Sequence, residues 1–245
     1  MKPTVNAIIQ ARMGSKRLAG KALANLAGKP LLAHVLERSA SIKGVGKTIL
    51  ATAEGEANIP LIELASSMGL DSFVGSEKNV LQRYCMASMQ YPSDYIMRIT
   101  GDNPFTDVFF AEKTIEMAFE TGADLCSFNN LPLGAAVEII KSETLFKTLG
   151  MANEAHHFEH VTPLIKEHPE QFNVVRKQAI YDNPFELVRL TVDTAEDLEL
   201  ARIICEALYK DAPFGIDSII NFLKTKPELL KINSSVEQRP MTSAE

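Results

Sequence analysis

Up to Ile99 the chain alternates short apolar runs with segments of helical spacing, and that alternation leaves few folds open. Val5–Ile9, Thr48–Thr52, Asp71–Val74 and Tyr95–Ile99 read as strands. Between them, Pro30–Ala40 puts Leu31, Leu32, Val35 and Leu36 on one helical face. Ile59–Met68 repeats the pattern with Ile59, Ile62, Leu64 and Ala65 before Gly69 stops it, and Asn79–Met89 fits a third helix. Strands joined by helical crossovers pair in parallel, so the expected fold is α/β: a mostly parallel open sheet with helices on both faces.

The later rhythm is less regular. Phe109–Glu120 reads as a helix, Asp124–Phe128 and Ala136–Ile140 as strands, Glu143–Leu149 and His157–Glu167 as helices, and Phe172–Val175 as extended. Residues 129–184 are therefore expected to form a smaller elaboration on the sheet that makes an acceptor or dimer contact. Leu187–Val192 returns to strand. A helix over Ala195–Leu208 follows, with Thr194 as N-cap and Glu196 and Asp197 in its first turn, and Ile216–Lys224 is the closing helix. A single domain over 1–233 is expected, with a polar, poorly ordered tail over 234–245.

Of the 245 residues, 46% are hydrophobic and 23% charged, and the net charge of −6 argues against a nucleic-acid-binding surface. A bound polyanion should be small and held locally. Cys85, Cys126 and Cys205 are widely spaced in apolar contexts, as expected of reduced thiols in a cytoplasmic protein, and form no metal or redox pair. The apolar run Ala7–Ile9 is too short for a signal peptide, and no run approaches a membrane span.

Ligands of open α/β sheets bind beyond the carboxyl ends of the strands, and charged motifs occupy three such ends. After the first strand, AIIQARMGSKRLAGK sets Arg12, Lys16, Arg17 and Lys21 among Gly14, Ser15 and Gly20. Small residues let backbone N–H groups approach an anion and the cations neutralise it, so the loop reads as a polyphosphate cradle or, alternatively, as a solvated basic loop. After the fourth strand, RITGDNPFTD brings Asp102 and Asp107 to a turn. A hard oxygen ligand there suits Mg2+ on a nucleoside triphosphate; the plain alternative is a backbone cap. VDTAED places Asp193 between strand and helix, as a second metal carboxylate or as another cap.

VGSEKNVLQRY offers Gly75 and Ser76 for a base or ribose, and Arg83 for a phosphate or carboxylate. Arg83 could equally pair with Glu77 or lie on a solvated face. In AHHFEH, His156 and His160 share a helix face, yet no third ligand stands at a metal-binding spacing. Surface or acceptor-site histidines are the expectation for His156, His157 and His160. Glu138, Glu159 and His160 are candidates to meet a sugar hydroxyl or amine. No nucleophile elbow, no G-x-x-x-x-G-K-[ST] loop and no G-x-G-x-x-G fingerprint is present.

Taken together, AIIQARMGSKRLAGKAL, GKPLLAHVLER, VGSEKNVLQRY, RITGDNPFTD, EHVTP and RLTVDTAEDLELAR resemble the spore-coat polysaccharide biosynthesis protein F family. That family is similar to the cytidylyltransferases that activate 3-deoxy-manno-octulosonate and acylneuraminate sugars. The resemblance spans most of residues 5–208 and implies the nucleotide-diphospho-sugar transferase, Rossmann-like fold, with CTP as substrate, Mg2+ as cofactor, a small acidic sugar as acceptor and a homodimer. It assigns Arg12, Ser15, Arg17 and Lys21 to the triphosphate, Asp102 and Asp193 to metal, and Ala11 with Gly75–Ser76 to cytosine. Ala19 departs from it where the family usually has proline, and GDNP differs from the form typical of octulosonate enzymes. Two other readings share the fold: a glycosyltransferase using a finished nucleotide sugar, although no D-x-D pair stands at Asp102, and a non-catalytic nucleotide-binding protein of the same pathway.

Overall fold

The computed structural model describes residues 2–15, 17–180 and 188–238. In chain order its strands and α-helices are β1 (Val5–Ala11), β2 (Asn25–Leu26), β3 (Lys29–Pro30), α1 (Leu31–Ser41), β4 (Val45–Ala53), α2 (Ile59–Ser67), β5 (Asp71–Gly75), α3 (Val80–Gln90), β6 (Tyr95–Thr100), α4 (Val108–Thr121), β7 (Leu125–Asn129), β8 (Glu138–Lys141), α5 (Ser142–Met151), α6 (Ala155–His160), α7 (Pro163–Glu167), β9 (Val174–Gln178), α8 (Ala195–Leu208) and α9 (Ile216–Thr225).

Seven strands form one sheet in the order β5-β4-β1-β6-β8-β7-β9. The first four of that order run parallel, as the crossovers require. β8 is antiparallel to both β6 and β7, and β9 lies parallel to β7 at the edge. The short link 130–137 reverses the chain after β7 and feeds β8 back between β6 and β7; a connection without a crossover helix can only return antiparallel. β2 and β3 make a separate hairpin through Ala27 and Gly28, both at positive φ.

Successive residues of β1 point to opposite faces, so neighbours serve different cores. Ile9 packs with Leu32, Leu36, Leu50, Met97, Ala118, Ile204 and Ile220 beneath α1, α4, α8 and α9. Ile8 packs with Ile49, Leu81, Tyr84, Ile96 and Leu145 beneath α3 and α5. Cys85, Cys126 and Cys205 are buried free thiols within these layers. Among the described residues no helix is long and apolar enough to cross a membrane.

Two elements differ from their sequence patterns. The helix expected over His157–Glu167 is two helices, because Val161 takes φ 71° and ψ −48° and Pro163 begins α7. The Thr162 N–H donates to the His160 carbonyl at 2.8 Å, which makes a γ-turn at a β-branched residue. The strand expected over Leu187–Val192 begins at Leu187, outside the described residues, and Val188–Val192 is not a ladder strand. Arg189 makes an isolated parallel bridge to Leu133 instead. Val188, Leu190 and Val192 are buried, and so are Arg189 and Thr191 between them. The segment, however, bonds to loops, with Leu190 N to Leu133 O at 2.8 Å and Val192 N to Asp102 O at 2.9 Å. Of the tail, residues 239–245 lie outside the described residues, while Gln238 reaches back to Arg189.

Candidate active site

A cleft of about 790 Å³ opens at the carboxyl ends of β1 and β6. Its floor depends on close backbone contact: Gly101 N–H donates to Gln10 O at 2.7 Å, and a Cβ on Gly101 would lie 2.7 Å from Ala11 Cβ and 2.9 Å from Gln10 O. Only glycine lets the ends of β1 and β6 meet here. Gly134 (φ 95°) plays the same part behind Asp193, where a Cβ would lie 2.7 Å from Thr191 N.

The loop after β1 is tied down by Met13 N–H donating to Asn58 Oδ1 at 2.9 Å and Ser15 N–H to Met13 O at 2.9 Å. Gly20 at φ 70° turns it into the helical turn that carries Lys21. Ala11, Arg12, Ser15, Arg17 and Lys21 line the cleft, whereas Lys16 lies outside the described residues. Arg12 Nη1 sits 3.3 Å from Glu77 Oε1.

Asp102, just past β6, and Asp193, just before α8, face one another across Lys21. The Lys21 ammonium donates to Asp102 Oδ2 at 2.9 Å, Asp193 Oδ1 at 2.8 Å and the Val192 carbonyl at 2.8 Å. Burial by itself lowers the Lys21 pKa, but Asp102 and Asp193 outweigh it and hold the ammonium above its ordinary value. Burial likewise pushes Asp102 up, and Lys21 more than reverses this. Arg17 Nη2 adds a further contact to Asp193 Oδ1 at 2.9 Å. The pair fits a divalent cation by its donor set: a cation already stands between hard carboxylate oxygens on a fixed backbone, and hard oxygens are what Mg2+ selects.

Asp193 itself rests on a layer the sequence motifs did not point to. Its Oδ2 accepts from Arg189 Nη2 at 2.7 Å, and Arg189 Nε donates to both oxygens of Asp197 at 2.9 and 3.1 Å. Asp197, whose side chain is fully buried, also accepts from Asn233 Nδ2 and from the backbone N–H groups of Asp193 and Thr194. Thr194 caps α8 with Asp197 as its reciprocal partner. The i,i+4 spacing of Arg189, Asp193 and Asp197 was the available signal. Asp107, in contrast, caps α4 through Phe110 N–H and accepts from Ile216 N–H, so it serves the fold.

Further along, Arg83 lines the cleft, whereas Gly75 and Ser76, expected to meet the base, are not among its lining residues and lie against the Arg83 side chain. Arg83 is neither solvated nor paired with Glu77 at bonding distance. It is 2% exposed, its Nη1 donates to Ser76 O at 2.6 Å, and burial lowers its pKa. Gln10 Oε1, Arg83 Nε and Arg98 Nε, all on cleft residues, are buried without a hydrogen-bond partner. Unsatisfied polar atoms concentrated at one cleft are a signature of a ligand site.

Glu138, Glu159 and His160 line the far end. β6–β8 register sets Arg98 opposite Glu138, and the carboxylate accepts from Arg98 Nη1 at 3.0 Å, Thr162 Oγ1 at 3.0 Å and Lys166 Nζ. Burial raises its pKa, and Lys166 and Arg98 reverse this to leave it below the ordinary glutamate range. Of the histidines, His157 is 3% exposed and not at the surface. His156 and His157 both meet Glu167, at 2.9 and 2.8 Å, with donor atoms within 4.8 Å of one another. His157 Nδ1 accepts from Glu154 and Asn153 N–H groups, which puts its proton on Nε2, the atom facing Glu167. That nitrogen has no lone pair for a metal, and the cluster is a structural hydrogen-bonded group.

A cationic loop and a carboxylate pair thus meet at the strand ends, where open α/β sheets bind their ligands. A family model described as cytidylyltransferase matches residues 6–214, and the chain belongs to that cytidylyltransferase family. It is 32% identical to the spore coat polysaccharide biosynthesis protein SpsF of Bacillus subtilis, over 90% of this chain and 94% of that one. An uncharacterised protein of Methanocaldococcus jannaschii is 37% identical over 97% of this chain and 98% of its own. A solved cytidylyltransferase from Leptospira borgpetersenii superposes with a TM-score of 0.87 at 26% identity, covering 97% of this chain and 99% of that one.

Proposed function

We propose that the protein transfers CMP from CTP to a small acidic sugar, with Mg2+ and with release of pyrophosphate, in the cytoplasmic assembly of a surface polysaccharide. The observation that carries this reading is the pair Asp102 and Asp193 joined through Lys21 beside Arg17. A sugar hydroxyl attacks the α-phosphorus; its oxygen–phosphorus bond forms as the bond to the β-phosphate oxygen breaks, the hydroxyl proton is released, and pyrophosphate leaves.

The protein's task is to position the reactants and neutralise the leaving group. Arg12, Arg17 and Lys21 line the cleft where they can grip the β- and γ-phosphates, and Ser15 lies on the same loop. Asp102 and Asp193 would hold Mg2+, which when bound polarises the phosphoryl oxygens. Arg83, with Gly75 and Ser76 behind it, bounds the nucleoside end. Glu159 and His160 face the acceptor, and Glu138 orders Arg98, Thr162 and Lys166 around it.

The test is pyrophosphate release from each of the four nucleoside triphosphates against a panel of acidic sugars. CTP with one acidic sugar should give Mg2+-dependent release. Release with no combination would end this reading.

A further inference from the structure

We infer that Lys21 is a resident counter-cation that keeps the metal carboxylates assembled yet closed to a bare divalent ion, so that metal enters only together with a polyphosphate. This rests on the nucleotidyltransferase reading and adds an order of binding to it.

Three oxygens surround the Lys21 ammonium: Asp102 Oδ2, Asp193 Oδ1 and Val192 O, at 2.8 to 2.9 Å. The two carboxylates are those a metal would take. Mg2+ binds its oxygens at about 2.0–2.1 Å, so an ion between them and the Lys21 nitrogen cannot share that space. The carboxylates do not drift apart meanwhile. Val192 N–H donates to Asp102 O at 2.9 Å, joining the two backbones, and Arg189 fixes the far oxygen of Asp193 at 2.7 Å.

Charge gives the same direction. Asp102 and Asp193 are matched by Lys21 and Arg17, and Arg189 is matched by Asp197. A bare divalent cation would therefore enter a cluster that is already neutral and against two cations. A polyphosphate reverses this: its anionic oxygens offer Lys21 and Arg17 another partner on the same loop, and the freed carboxylates then face the metal it carries. Metal and polyphosphate are thereby coupled, each raising the affinity for the other.

The probe is Mn2+ alone, titrated into the full chain without nucleotide and followed by the loss of its free-ion electron paramagnetic resonance signal. Lys21→Met should bind Mn2+ at least about tenfold more tightly than the unmodified protein, within the usual range of such couplings, and adding Asp193→Asn should remove the gain. Lys21→Arg, which keeps the charge, should exclude the ion as the unmodified protein does. Equal Mn2+ affinity of the unmodified protein and Lys21→Met would overturn the inference. Lys21→Gln supplies a second variant if Lys21→Met does not fold: a tightening of about tenfold or more supports the inference, and an Mn2+ affinity equal to that of the unmodified protein overturns it. Neither arm uses CTP or turnover, so failure here is separate from failure of pyrophosphate release.

Discussion

Asp193 directs its two carboxylate oxygens to different tasks: Oδ2 lies against Arg189, and Oδ1 faces Lys21 and Arg17. This division depends on Asp197, because without it the buried Arg189 would share the single carboxylate of Asp193 with Lys21 and Arg17, leaving the cluster with an excess positive charge. Asp197→Asn should lower stability by about 3 kcal/mol, read from chemical denaturation, since breaking a buried pair from one side leaves the other charge stranded. Glu138 makes a similar test with a pH signature. Its carboxylate is held below the ordinary glutamate value of 4.5, so its contribution is complete above that value and is lost as pH falls through the lower folded-state value. The stability gap between the unmodified protein and Glu138→Gln should be full at neutral pH and narrow only in acid. At this scale the sequence exposed what sits in motifs, such as Arg17, Lys21, Asp102 and Asp193. It concealed partners whose meaning is purely spatial: Arg98 became visible as the partner of Glu138 only through the β6–β8 register.

Among the elements, apolar periodicity located strands and helices well, because burial is what it records. It failed where burial and hydrogen bonding separate. Val188–Val192 is buried throughout but bonds to loops, and the single run His157–Glu167 hides a γ-turn at Val161 that no propensity favours. The reversal of β8 was likewise invisible, since strand direction depends on where the link 130–137 delivers the chain. Gly101 is the element-scale residue that the site depends on most. Gly101→Ala would drive a methyl into Ala11 Cβ and the Gln10 carbonyl, backbone that cannot swing aside. Overpacking of this kind costs about 1–3 kcal/mol, and a shifted Asp102 should also lower turnover. A lower melting temperature with a parallel loss of activity is the expected pair of readings.

Seen as a whole molecule, the sheet gathers residues far apart in sequence, from the β1 loop at Arg12 to Asp193, onto one edge of strand ends. The general site position was legible because the charged motifs follow predicted strands, and α/β sheets bind ligands there. The end of the cleft lined by Glu138, Glu159 and His160 was less so, since it is built where the antiparallel β8 and the broken α6–α7 pair meet the sheet. The central claim is that Asp102 and Asp193 act in phosphoryl transfer as well as in holding the loop together. It is tested most directly by Mg2+-dependent pyrophosphate release from CTP and an acidic sugar in the unmodified protein and in Asp102→Asn, with the fold of each checked by circular dichroism. Loss of a metal carboxylate forfeits several kcal/mol of transition-state stabilisation, so a folded Asp102→Asn should fall by about a thousandfold or more in rate. A folded variant that releases pyrophosphate at the unmodified rate would contradict the account.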